Sequence, residues 1–128
     1  HQFKNRFVIP CNNSYDESTK NFAIRDSFGY GSHVLYSDNG VNWRMSDIIA
    51  PFCNESQLVE LDDGTLMMNM RSYHKKGSRA IAFSKDGGAS WSSVEQAPQL
   101  VESKCQASII KYGDYNEKSK NYHHQLYS

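Results

Sequence analysis

Long apolar runs are missing from this 128-residue chain, and the few that occur span a handful of residues, too short to cross a bilayer as a helix. No membrane-spanning segment is expected. An excess of either charge is missing too, since 14 Lys and Arg stand against 14 Asp and Glu. That balance excludes the basic stripe of a nucleic-acid binder and an acidic tail, and leaves charge recognition to individual residues. Cysteine is scarce: Cys11, Cys53 and Cys105 lie far apart without CxxC spacing, which argues against zinc and leaves at least one thiol unpaired within the chain. The pair His123-His124 lacks further ligands at metal spacing and reads as two successive strand residues. A sustained 3.6-residue apolar period is absent, so no helix is expected. The first residues, His1-Gln2-Phe3-Lys4, contain neither an initiator Met nor a signal-peptide pattern, and no compartment is read from them.

What the chain does have is a turn motif present twice, 48 positions apart. Tyr36-Ser37-Asp38-Asn39-Gly40-Val41-Asn42-Trp43 and Ser84-Lys85-Asp86-Gly87-Gly88-Ala89-Ser90-Trp91 each place Asp, Gly and Trp at the same offsets behind a short apolar run. The expectation is a strand entering a tight turn in which Asp38 or Asp86 accepts backbone N–H groups. Gly40 or Gly88 takes a positive φ there, and Trp43 or Trp91 covers the turn. Repetition at this period implies one four-stranded unit per repeat.

Strands are expected at Arg6 to Pro10, Ser32 to Ser37, Gln57 to Leu61, Thr65 to Arg71, Arg79 to Ser84, Cys105 to Tyr112 and Tyr122 to Tyr127. Asp62-Asp63-Gly64 predicts a hairpin with a type I′ turn. The polar segment Cys11 to Gly31 reads as an insertion between strands, and Asp114 to Asn121 as a solvated loop. The division is then a partial repeat over about 1–50, a full one over 51–100 and the start of another over 101–128. Met67, Met68 and Met70 are expected in the core. Asn12-Asn13-Ser14 and Asn54-Glu55-Ser56 match the glycosylation pattern, although a glycan on Asn54 would crowd its neighbour Glu55.

The chemistry concentrates at two ends of one hairpin. Glu55 enters the first strand and Arg71 leaves the second, so folding back at Asp63 and Gly64 brings a carboxylate and a guanidinium together. The pair reads either as an ordinary cross-strand ion pair or as part of a ligand funnel. Arg79, at the opening of the next strand, is expected to be solvated.

Taken in order, Asn54-Glu55-Ser56-Gln57-Leu58-Val59-Glu60-Leu61, Asp63-Gly64-Thr65-Leu66, Asn69-Met70-Arg71-Ser72, the second turn motif and Cys105-Gln106-Ala107-Ser108 resemble the middle of an exo-α-sialidase of glycoside hydrolase family 33. The two turns are similar to that family's Asp boxes. The first departs from the pattern at Tyr36 and Asn42. The resemblance implies an all-β, six-bladed β-propeller, of which this chain supplies about two and a half to three blades. It also implies hydrolysis of terminal α-linked sialic acids from glycoproteins, gangliosides or other glycolipids and oligosaccharides, with retention and without a cofactor. By the same resemblance Glu55 activates a Tyr nucleophile, Arg71 belongs to an arginine triad that holds the substrate carboxylate, and Gln106 lies near the sugar. The Tyr, the acid Asp and two arginines match nothing in the chain, so alone it is expected to be inactive. Family members occupy many compartments, and oligomeric state stays open. The competing readings are a non-catalytic Asp-box propeller that binds glycans or proteins, and a trans-sialidase.

Overall fold

The computed structural model describes residues 5–16, 18–19, 21–22, 29–116 and 121–127, and among them every regular element is a β-strand. Strands β1 (Phe7–Asp16), β2 (Asn21–Phe22), β3 (Tyr30–Ser37) and β4 (Arg44–Met45) form one antiparallel sheet in the order β2-β1-β3-β4. Strands β5 (Cys53–Glu60), β6 (Leu66–Ser72), β7 (Ser78–Ser84) and β8 (Glu95–Val101) form a second, a simple meander. Strands β9 (Ile110–Asn116) and β10 (Asn121–Tyr127) pair as a third.

The second sheet is covered on both faces, and its sequence explains how. Met68, Met70, Ala80 and Ala82 bury one face against Val34 and Tyr36 of the first sheet, with Trp91 and Val94 packed alongside. Val59 and Met67 bury the other against Ile109, just ahead of β9. Both faces of β6 are therefore dry, and the methionines fill core positions as their sequence context indicates. Each fully buried side chain of this size stabilises the fold by about 1.5–3 kcal/mol relative to exposure.

Several elements differ from the sequence reading. Cys11 to Asp16 are not an insertion but the second half of β1, paired with β3 from Cys11↔His33 to Ser14↔Tyr30. Their polar side chains are held by bonds across strands: Asn12 Nδ2 donates to Asn54 Oδ1 at 2.8 Å, and His33 Nδ1 meets Asn13 Oδ1 at 2.9 Å. Residues 23–28 of the proposed insertion lie outside the described set. Strand β8 escaped notice because Pro98 interrupts it; as an edge strand it needs no N–H on its outer side, and its pairing with β7 is irregular at that point. The third sheet begins at Ile110 rather than Cys105, and Asp114 to Asn116 belong to β9 rather than to a loop, while 117–120 lie outside the described residues. The Asp62-Asp63-Gly64 turn is not type I′. Only Gly64 has a positive φ, 84°, and its N–H donates to Leu61 C=O at 3.0 Å, which makes a type I turn followed by a glycine bulge.

The two Asp-bearing turns follow β3 and β7, and they are braced differently. In the second, Asp86 accepts Ser90 N–H at 3.0 Å and the Ser84 hydroxyl at 2.8 Å, as expected. Gly88 has φ 93°, and a Cβ there would lie 3.2 Å from a Val34 methyl, so glycine serves both the turn and the contact with the first sheet. In the first, Asn39 replaces Asp38 as the brace, its Oδ1 accepting Val41 N–H at 2.9 Å and Asn42 N–H at 2.8 Å. Asp38 turns outward to Arg6 Nε at 2.6 Å and Arg44 Nη2 at 2.9 Å. The expectation for Asp38 is thus corrected. The side chain of Arg6 reaches further, donating to Asp86 C=O at 3.1 Å and tying the two turns together. Gly40 has φ 72°, and Trp43 Nε1 donates to Gly40 C=O at 3.2 Å, folding the indole over the turn. Trp91 instead packs into the core.

Candidate functional site

At the end of the second sheet opposite its Asp-bearing turn, β5 starts and β6 finishes. Cys53 pairs with Ser72 and Ser56 with Met70, so Asn54 and Glu55 together face the single residue Arg71. This is a β-bulge, and it turns the Glu55 carboxylate onto the guanidinium. Arg71 Nη1 donates to both carboxylate oxygens, at 3.2 and 2.9 Å. The side chains are 24% and 35% exposed, so the pair is open to solvent rather than sealed, and its own contribution to stability is small. The bond from Glu55 raises the Arg71 pKa further above its ordinary value.

Arg71 is only partly satisfied. Its Nε is buried without a hydrogen-bond partner, and among the described residues Nη1 alone is engaged. A buried charged donor without a partner costs free energy, and the unengaged Nη2 of the partly exposed guanidinium is the group left for a second carboxylate. Tyr73 lies beneath the guanidinium at 5.1 Å and stacks on Tyr30 of β3 with ring centroids 5.3 Å apart. The Tyr73 hydroxyl accepts Asn54 Nδ2 at 3.3 Å. Asn54 is itself bonded by Asn12, and its backbone C=O accepts the Ser32 hydroxyl at 2.6 Å. The bulge is therefore locked to the neighbouring sheet. Asn54 is buried, which leaves no room for a glycan on its amide.

Behind Arg71 stands a second ionic group. Arg79 is 2% exposed, not solvated as its sequence position suggested. Its Nε donates to Asn69 Oδ1 at 2.6 Å, its Nη1 to Cys105 C=O at 2.8 Å, and the same Nη1 lies 3.5 Å from Glu102. Glu102 in turn accepts Ser72 N–H at 3.1 Å, the amide that directly follows Arg71. Burial lowers the Arg79 pKa, and Glu102 is the counter-charge that opposes this. Gln106 lies in the segment between β8 and β9, one residue after the carbonyl that Arg79 anchors, and its side chain is exposed with no hydrogen bond to Glu55 or Arg71. Sequence reasoning found Glu55 and Arg71 and missed Tyr30, Asn54, Tyr73, Arg79 and Glu102. Tyr73 and Asn54 carried a signal, being close neighbours of the pair in sequence. Glu102 carried none.

All three cysteines are free thiols. Among the described residues no group of three or more His, Cys, Asp or Glu could hold a metal ion, and no helix is long and apolar enough to cross a membrane.

Residues 2–116 match the model of the BNR repeat-like domain. This chain belongs to that family. BNR repeats fit a β-propeller, in keeping with the stacked antiparallel sheets described above. Among curated proteins, a sialidase of Bacteroides fragilis (strain YCH46) is 42% identical over 79 residues, covering 60% of this chain and 14% of the relative. A sialidase of Micromonospora viridifaciens is 35% identical over 78 residues, covering 61% of this chain and 12% of the relative. The resemblance to sialidases is therefore borne out, and the chain spans about an eighth of the length of these relatives. A crystal structure of a protein of unknown function from Dyadobacter fermentans DSM 18053 superposes with a TM-score of 0.60 at 20% identity, covering 87% of this chain and 31% of that one. At that identity the likeness speaks for the fold alone.

Proposed function

We propose that this chain forms part of the active site of an exo-α-sialidase built as a six-bladed β-propeller, with successive blades over about 1–50, 51–100 and 101–128. The observation that carries the reading is the bulge that sets Glu55 against a half-satisfied Arg71. Sialic acid bears a carboxylate on its anomeric carbon, and a planar guanidinium fork with free N–H groups suits it. A carboxylate nucleophile would be repelled by that substrate carboxylate in a poorly solvated site. A neutral phenol avoids the repulsion if a nearby Glu takes its proton as the bond to the sugar forms.

In this reading Glu55 is that base, Arg71 holds the substrate carboxylate and Gln106 approaches the sugar. The Tyr nucleophile, the acid Asp and the remaining arginines come from other parts of the full-length protein. Substrates are terminal α-linked sialosides of glycoproteins, gangliosides and oligosaccharides, and the product retains its anomeric configuration.

The test is steady-state kinetics of the full-length protein on a fluorogenic sialoside. Glu55→Gln should lower kcat by about 10²- to 10⁴-fold with little change in affinity for a carboxylate-bearing inhibitor. Arg71→Lys keeps the charge but loses the fork, and should cost roughly 2 kcal/mol in transition-state binding, about thirtyfold in kcat/KM. Wild-type turnover in Glu55→Gln makes the pair an ordinary ion pair. Sialoside binding without any hydrolysis by the unmodified protein points instead to a non-catalytic glycan-binding propeller.

A further inference from the structure

One residue beyond Arg71, a groove of about 560 Å³ opens over the ends of β6, β7 and β8. Ser72, Ser78 and Ser103 line it together with Lys75 and Lys104, and Glu102 forms its acidic wall. The charges do not cancel. Glu102 is already taken from behind, by Arg79 at 3.5 Å and the Ser72 amide at 3.1 Å, whereas neither lysine makes an ion pair among the described residues. The groove therefore presents two unpaired ammonium groups, while the hydroxyls of Ser72, Ser78 and Ser103 are engaged by His74, Gln96 and Cys105.

Lys75 and Lys104 have φ of 60° and 63°, a left-handed conformation that is unfavourable for a side chain bearing a Cβ and that the fold nevertheless holds at both rims. Two unpaired ammonium groups at the rims of an open groove suit a hydrated sugar carrying a negative charge better than an apolar group.

We propose that this groove is a subsite for an anionic sugar, a carboxylate- or sulfate-bearing residue of the glycan to which the sialic acid at Arg71 is attached. The proposal rests on the sialidase reading for the position of that sialic acid. The link between the two is Ser72, which lines the groove and directly follows Arg71 in β6.

The experiment uses the full-length protein and three non-cleavable thioglycosides: a monosialyl oligosaccharide with a neutral penultimate sugar, the same ligand with a sulfate ester on that sugar, and a disialyl ligand. Affinities are measured by calorimetry at low ionic strength, and turnover is measured in parallel on the corresponding cleavable compounds. One or both anionic ligands should bind roughly three- to tenfold more tightly than the neutral one, as two partly exposed charge contacts allow. The double variant Lys75→Gln/Lys104→Gln should lose that preference while binding the neutral ligand as before, and Lys85→Gln, at the opposite end of the sheet, should keep it. Preference for only one of the two anionic ligands identifies the source of the charge. Equal affinity for all three ligands, or a preference unchanged in the double variant, overturns the subsite. Turnover without the preference overturns the subsite alone. A lysine-dependent preference without turnover overturns the hydrolase reading and leaves the subsite standing.

Discussion

Replacing Arg79 tests the frame behind the site. In Arg79→Met the side chain keeps much of its apolar length but deprives Asn69 Oδ1, Cys105 C=O and Glu102 of a donor at 2.6, 2.8 and 3.5 Å. Glu102 is 2% exposed in its side chain, so its carboxylate is left buried with only the Ser72 amide for company. Removing one member of a buried ion pair typically costs about 3–5 kcal/mol, because the other charge remains desolvated. Arg79→Lys preserves charge and loses the fork; it should cost less, about 1–2 kcal/mol, for the hydrogen bonds that an ammonium cannot make at once. The double variant Arg79→Met/Glu102→Gln removes the orphaned charge yet keeps an acceptor for Ser72 N–H, and should recover about 1–3 kcal/mol of the loss. Urea midpoints give the ranking, and hydrogen exchange across 66–84 shows whether the Ser72 amide opens. Arg79→Met within about 0.5 kcal/mol of the unmodified protein, a change expected only at unimportant surface positions, would refute the reasoning.

The two turns should respond unequally despite their similar sequences: Asp86→Ala and Asn39→Ala should each cost about 1–2 kcal/mol in urea titration, with Asp38→Ala costing less than either, because Asn39 and not Asp38 accepts the backbone N–H groups of its turn. Burial pushes the Cys53 thiol up to about 12, so at pH 8 a thiol reagent should modify exposed Cys105 first and reach Cys53 only on unfolding, as peptide mass mapping would reveal. Burial also holds the His33 and His74 imidazoles below their ordinary 6.5, His74 with help from Lys76; the unfolded chain then binds more protons than the folded one, so stability should fall as pH drops through 6.5 and stay flat above it. The slope should shrink in His33→Gln and shrink further in His33→Gln/His74→Gln. A pH-independent urea midpoint between 5 and 8 would contradict that assignment.

The features legible in the sequence are those decided within a few residues. Both Asp-bearing turns, the fold-back at Asp63-Gly64 and the meeting of Glu55 with Arg71 follow from turn chemistry and antiparallel pairing alone. Even the exchange of roles in the first turn left a trace, in the departure of Tyr36 and Asn42 from the motif. Features that depend on register were hidden. The bulge at Asn54 and Glu55 is visible only once Cys53 is known to sit opposite Ser72 and Ser56 opposite Met70. The polar half of β1 holds because Asn12 and Asn13 find partners on β5 and β3, far away in sequence.

Arg79 shows why the alternation rule fails here in a definite way. Period-two patterning identifies a strand with one wet face, and it sends every charged residue to that face. Strand β6 has no wet face, since Met68 and Met70 pack on the first sheet while Met67 packs towards Ile109. On that second face Asn69 and Arg79 occupy adjacent strands at positions where alternation expects water, and they satisfy each other instead. A charged side chain can hold such a position only with a counter-charge, and Glu102 arrives from beyond β8, 23 positions along the chain. Stacking sheets on both sides thus converts a residue that looks solvated into the support for the Arg71–Ser72 backbone.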